Sequence, residues 1–369
     1  MESVNAGEGV HVQPIANRYT ELVGIRHPIV QEGLGPFRTA KLAAAVSTAG
    51  GLGTVSMPGM PEDIEAGART FREHIEECAD LTDRPFAVNI PVGVDRNGKV
   101  LPFTDIYIRT ALAAREADSA IARRLTVLTT SAGFPGDYVA MIKDAGMVHQ
   151  HKVGSTRQAV KAAEAGVDVV IAAGFEMGGH APSAAVHSFV LLPSVTEAVD
   201  VPVLLTGGVR DGRGLAAAMA MGADGVAMGT RFITSRDNSD WHPAYLQALL
   251  DAREGDDVAF NGVYGPCRGL RNAASQRLLE NSHAQEGGEV LDPVELTRWK
   301  IESMQRAQTE GDVTDSLVMT GQVASAINDL VDVAEFVPRM AQEAADVLRS
   351  LAAQLTTHSS TRTDEEVHA

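Results

Sequence analysis

The chain has 369 residues, 44% of them hydrophobic, with a formal net charge of −17 and two cysteines. That length suits one large α/β domain of about 250 residues plus additions, and a mean hydropathy of −0.03 is that of a soluble globular protein. The charge argues against nucleic acid and anionic membranes as partners; Cys78 and Cys267 are too far apart for a disulfide framework or zinc site, which points to a reducing, cytoplasmic setting.

Residues 1–15 read as disordered, with Glu2 and Glu8 in place of the apolar core of a secretory signal. Short apolar runs then alternate with Ala-rich helical stretches eight times. The strands are expected at 28–31, 51–56, 86–90, 125–130, 148–153 and 168–173, and in the runs 201–209 and 225–232. Helices are expected between them, for example at 39–49, 156–165 and 212–221, the last two ending at Gly166 and Gly222. Near-continuous apolar strands suit a parallel sheet covered by helices. The pattern predicts a (β/α)8 TIM barrel over 16–255, with a doubly wound open sheet as the competing architecture. Residues 91–105 read as a long loop. Beyond 255 the rhythm stops: residues 256–355 read as a C-terminal helical cap with amphipathic helices at 296–307 and 333–355, an exposed loop at 286–289, and a disordered tail at 356–369.

The runs 201–209 and 225–232 end at Gly207-Gly208 and Gly229-Thr230. Adjacent strands that stop at residues without side chains present bare N–H groups, and the last two strands of such a barrel often hold phosphate. The alternative is tight turns that simply need glycine. His180 follows the sixth strand in Gly174-Phe-Glu-Met-Gly-Gly-His180, where Gly178 and Gly179 let a ligand approach the backbone. A histidine there is a candidate general base. Glu176 either orients His180 or the backbone of this loop, or is solvated. Asn89, at the end of the third strand, reads a cofactor ring or satisfies the barrel rim. Lys152, ending the fifth, either sets a cation beside a ring that turns negative on reduction or forms a rim salt bridge. His149 and His151 share one face of their strand but lack further ligands, so no metal site is expected. No dinucleotide fingerprint, Walker loop or nucleophile elbow appears in the right context.

These motifs resemble the nitronate monooxygenase family, which also holds FMN-dependent enoyl-thioester reductases. The resemblance covers about residues 20–330 and rests on Lys152-Val153, the Gly174–His180 loop, Leu205-Thr-Gly-Gly-Val209, Met228-Gly-Thr-Arg-Phe232, Ala49-Gly-Gly-Leu-Gly53 and Thr320-Gly-Gln322. It implies an FMN-binding barrel in which Gly207, Gly208, Gly229 and Thr230 hold the phosphate, Gln31, Asn89 and Lys152 lie near the flavin ring, Gly179 lines the cofactor site and His180 is the catalytic base. The implied activity is oxidation of an alkyl nitronate or similar carbon acid with dioxygen. The alternatives are an NAD(P)H-dependent reductase or dehydrogenase of an acyl thioester, and a flavin-free isomerase or lyase that uses the cradle for substrate phosphate. The partners are small molecules, with a homo-oligomer left open. Three departures from the family pattern fall where substrate should sit: Glu32, Leu34 in place of a methionine, and Pro182 after the histidine.

Overall fold

The computed structural model describes residues 15–59, 63–94, 98–262, 265–284 and 293–359. Six strands come first: β1 (Ile29–Gln31), β2 (Gly53–Ser56), β3 (Phe86–Val92), β4 (Leu125–Ala132), β5 (Val148–Val153) and β6 (Val169–Ala173). A two-residue strand, β7 (Gly179–His180), stands apart, and β8 (Val203–Thr206) and β9 (Gly225–Met228) complete a parallel sheet of order β1-β9-β8-β6-β5-β4-β3-β2. The edges meet at a parallel bridge between Val30 and Leu52, with Gln31 N–H donating to Leu52 O at 2.9 Å, so the sheet closes into a TIM-like barrel.

Strand alternation sorts the side chains. Val30, Leu52, Ala87, Val127, Val169, Ile171, Leu204 and Ala227 fill the barrel interior. Their neighbours on each strand face outward, under a layer that includes α2 (Ala40–Thr48), α3 (Ile64–Leu81), α4 (Pro102–Ala117) and α9 (Gly212–Ala220). The interior is plugged at its N-terminal end by α1 (Arg18–Val23), an element the hydrophobic rhythm is too short to reveal. Asn17 caps it, its side chain accepting from the Tyr19 and Thr20 N–H groups. Tyr19 is fully buried, and its hydroxyl meets Gln150 Oε1 at 3.0 Å.

Two expectations need correction. The loop expected at 91–105 is shorter, because β3 runs to Val92 and α4 starts at Pro102, where a missing N–H does no harm in a first helical turn. The tail expected to be disordered from 356 is helical up to Ser359, where α14 (Val333–Ser359) ends. Residues 1–14, the loop at 286–289 and residues 360–369 lie outside the described residues. The cap carries α12 (Ala273–Ala284), α13 (Pro293–Thr309) and α14, but opens with an antiparallel hairpin, β10 (Asp257–Asn261) and β11 (Pro266–Leu270). This hairpin picks up β7 as its third strand.

Candidate active site

At the C-terminal mouth of the barrel, alternation turns Ser56, Asn89, Thr129 and Lys152 inward, in phase with the interior residues below them. A polar chain rises to them: Gln150 Nε2 donates to Thr129 Oγ1 at 3.1 Å, and Asn89 Nδ2 reaches Thr129 O at 3.4 Å. The loop after β1 lies over Asn89; a Cβ on Gly33 would come within 2.6 Å of its side chain. Lys152 forms an ion pair, Nζ to Glu32 Oε2 at 2.6 Å, which is the rim salt bridge the sequence left open. Glu32 is only 6% exposed, and its other oxygen, Oε1, has no hydrogen-bond partner.

Gln31 is placed differently. It lies on the side of its strand opposite Val30, away from the interior. Its Oε1 accepts from Thr54 N–H at 2.9 Å and its Nε2 donates to Thr54 O at 3.2 Å, stitching β1 to β2 where the barrel closes.

Gly207 and Gly208, just past β8, have φ of +103° and +77°. A side chain would be strained there, and a Cβ on Gly207 would meet Gly174 O at 3.1 Å. Within the described residues, the N–H groups of Gly207 and Gly208 have no hydrogen-bond acceptor. Thr230 follows β9, its Oγ1 accepting from Gly321 N–H at 3.0 Å. The Thr320-Gly-Gln322 segment therefore ties the end of β9 to the Gly174–His180 loop. Unpaired backbone N–H groups at a strand end carry partial positive charge and suit an anion.

The His180 wall is assembled from distant parts of the chain. The loop from Gly174 to His180 is held at three points. Glu176 accepts from Ser188 N–H at 3.0 Å, at the start of α8 (Ser188–Thr196); the carboxylate orients the loop, not His180. The guanidinium of Arg268, ion-paired to Asp257, donates to Phe175 O at 3.1 Å. Gln322 N–H donates to Glu176 O at 2.9 Å. Gly178 packs so closely on residue 320 that a Cβ would lie 2.4 Å from the Thr320 carbonyl carbon. Beyond it, β7 pairs with β11, and His180 lies opposite Cys267.

His180 Nε2 lies 3.0 Å from Nζ of Lys300, a residue of α13 that is 3% exposed and also donates to Gly262 O at 2.6 Å. With Lys300 as an ammonium, which only donates, Nε2 accepts and a neutral ring carries its proton on Nδ1. The Lys300 charge, followed by burial and the Lys152 charge, pushes the His180 pKa below its ordinary 6.5. More than a third of the residue's surface is exposed, so the Lys300 charge is the weightier cause. Burial in turn lowers the Lys300 pKa. The sequence reading missed Lys300, though the signal exists: it lies on the buried face of α13 with Thr297, Ser303, Met304 and Ala307, and lysine there is out of pattern. His149 and His151 face outward, both within 2.8 Å of Thr130 Oγ1.

Residues 16–343 match the family model "Nitronate monooxygenase". A Rhodococcus jostii protein named (3aS,4S,5R,7aS)-5-hydroxy-7a-methyl-1-oxo-octahydro-1H-indene-4-carboxyl-CoA dehydrogenase is 39% identical over 222 residues, which is 60% of this chain and 56% of that protein. A probable nitronate monooxygenase of Staphylococcus saprophyticus is 30% identical over 298 residues, covering 72% of this chain and 81% of its own. Among solved structures, FabK from Thermotoga maritima superposes with a TM-score of 0.79 at 33% identity, over 92% of this chain and 99% of that one. The chain belongs to the nitronate monooxygenase family.

Proposed function

We propose that the protein is an FMN-dependent oxidoreductase that acts on an acyl thioester of the coenzyme A type. The observation that carries the choice of substrate is the contact between His180 and Lys300. A general base needs a free lone pair, and Nε2 already accepts from Lys300 while Nδ1 holds the proton. The pair is better suited to donate than to abstract: His180 offers Nδ1–H, backed by a buried cation. Such a donor stabilises the oxygen of a thioester carbonyl as negative charge develops on it. In this reading His180 acts as a hydrogen-bond donor, where the family resemblance implies a base. The coenzyme A substrate named for the Rhodococcus relative supports the same class.

FMN is supported by the cradle. The unpaired N–H groups of Gly207 and Gly208, with Gly229 and Thr230 beside them, would hold its phosphate, and Asn89 and the Lys152–Glu32 pair would lie toward its ring. When bound, FMN supplies hydride exchange with substrate carbon. The residues of this chain bind the phosphate, orient the thioester oxygen through His180 and keep that ring neutral through Lys300. A second reading, oxidation of an alkyl nitronate by dioxygen, is favoured by the Staphylococcus relative; a nitronate is an anion that the same donors would hold.

The test is the visible spectrum of purified protein under anaerobic conditions. In the thioester reading, a flavin spectrum is perturbed or bleached by saturated or unsaturated acyl-CoA or by NADH or NADPH. A flavin indifferent to all of these, and turning over nitronates in air, transfers the proposal to the second reading. No flavin bands after FMN is added overturns the cofactor.

A further inference from the structure

Glu32 puts a buried carboxylate at the start of the loop after β1, and its position gives it a role. In the ring of eight strands β1 and β5 are diametrically opposite, four places apart in either direction. Glu32, the first residue after β1, and Lys152, on β5, therefore meet across the barrel axis at 2.6 Å, with side chains 7% and 16% exposed. They form a floor beneath whatever occupies the mouth. In a site this enclosed, a lone lysine would project a strong positive field into the mouth, whereas a close pair of opposite charges projects little. The unpartnered Glu32 Oε1 leaves an acceptor that a ligand N–H or O–H would satisfy.

We infer that Glu32 cancels Lys152 and thereby sets the redox balance of the bound flavin, disfavouring the negative charge that the ring takes up on reduction. The inference rests on the FMN reading above. Its consequence is a flavin poised to give electrons up, which suits a site that passes them on to a second substrate. The lysine suggested by sequence as a stabiliser of the negative ring is present, but its charge is already neutralised within the protein.

The experiment compares the FMN-loaded protein with Glu32→Gln, Lys152→Met and the double variant, measuring the flavin midpoint potential and the affinity for sulfite, an anion that adds to flavins more tightly in a positive field. Glu32→Gln frees the lysine charge: sulfite binds about 10-fold more tightly, equivalent to about 1.4 kcal/mol, and the potential moves to more positive values. Lys152→Met leaves the carboxylate alone and moves both the opposite way. The double variant, which holds no uncompensated buried ion and is thus the safest fold, returns to within about twofold of the parent, the coupling expected of two charges that act on each other. An unchanged sulfite affinity in Glu32→Gln, or a double variant that departs from the parent by as much as a single one, overturns the inference while leaving the FMN reading standing. Parent protein that takes up no flavin overturns that reading first, and this inference with it.

Discussion

The glycine ends of β8 and β9 and the His180 wall are in contact but are built in contrasting ways. The cradle is local. Gly207-Gly208 and Gly229-Thr230 end neighbouring strands separated by about twenty residues, and the proposed phosphate contacts would be made by the backbone. The wall is remote. It needs β7, then β11 almost ninety residues later, then Lys300 on a helix of the cap. A function carried by backbone conformation leaves a motif of small residues in the sequence. A function carried by side chains meeting from far apart leaves single residues out of pattern.

This contrast can be broken or sharpened by substitution. The largest effect is expected at Gly207→Val, which puts a β-branched side chain at φ +103° against Gly174 O. FMN affinity should fall at least ~100-fold, about 2.7 kcal/mol, as measured by fluorescence titration with the fold checked by circular dichroism; retained flavin would show that phosphate does not sit there. Next, His180→Ala should keep its flavin and lose roughly 10²- to 10³-fold in kcat, the usual consequence of removing one aimed donor. Flavin lost along with turnover would mean that the wall and cradle are not separable.

Lys300→Met should lower kcat about 10-fold with flavin retained, and it makes a signed prediction about pH. The Lys300 charge depresses the His180 pKa, so removing it lets that pKa rise toward 6.5. The neutral ring is then lost at higher pH, and the acid limb of the kcat/KM profile moves upward. A profile that stays in place would reduce Lys300 to a packing role. The smallest effect on chemistry is expected at Gln31→Leu. It breaks the two contacts to Thr54 and costs about 1–3 kcal/mol of stability, read as a lower urea midpoint, with the flavin spectrum unchanged. A shifted spectrum would return Gln31 to the ring contacts that the family resemblance implies.

Legibility in the sequence followed the same division. Eight apolar runs predicted the barrel because each strand carries its own signal, and the Gly174–His180 loop was visible because close approach demands glycine at Gly178. The pairing of Glu32 with Lys152 was not visible. The two residues are 120 positions apart, and only the closure of the barrel makes β1 and β5 opposite. The hairpin of β10 and β11 was absorbed into a helical cap because two short strands around Gly262 and Gly265 lack any sustained period. Lys300 was hidden in a helix that was itself correctly expected, since amphipathic periodicity locates a helix without saying which polar residue on its buried face has a partner.

The strip from residue 318 to 322 touches both constructions. Leu270 N–H bonds to Val318 O beside β11, Gly178 packs on the carbonyl of Thr320, and Gly321 N–H bonds to Thr230 in the cradle. Mechanically this is a tie between two banks of a channel. A ligand that draws Thr230 toward itself pulls on the same five residues that support the backbone two positions before His180. In the proposed reading, filling the cradle and placing His180 would be coupled, and amide hydrogen exchange around residues 177–181 should slow when FMN is added.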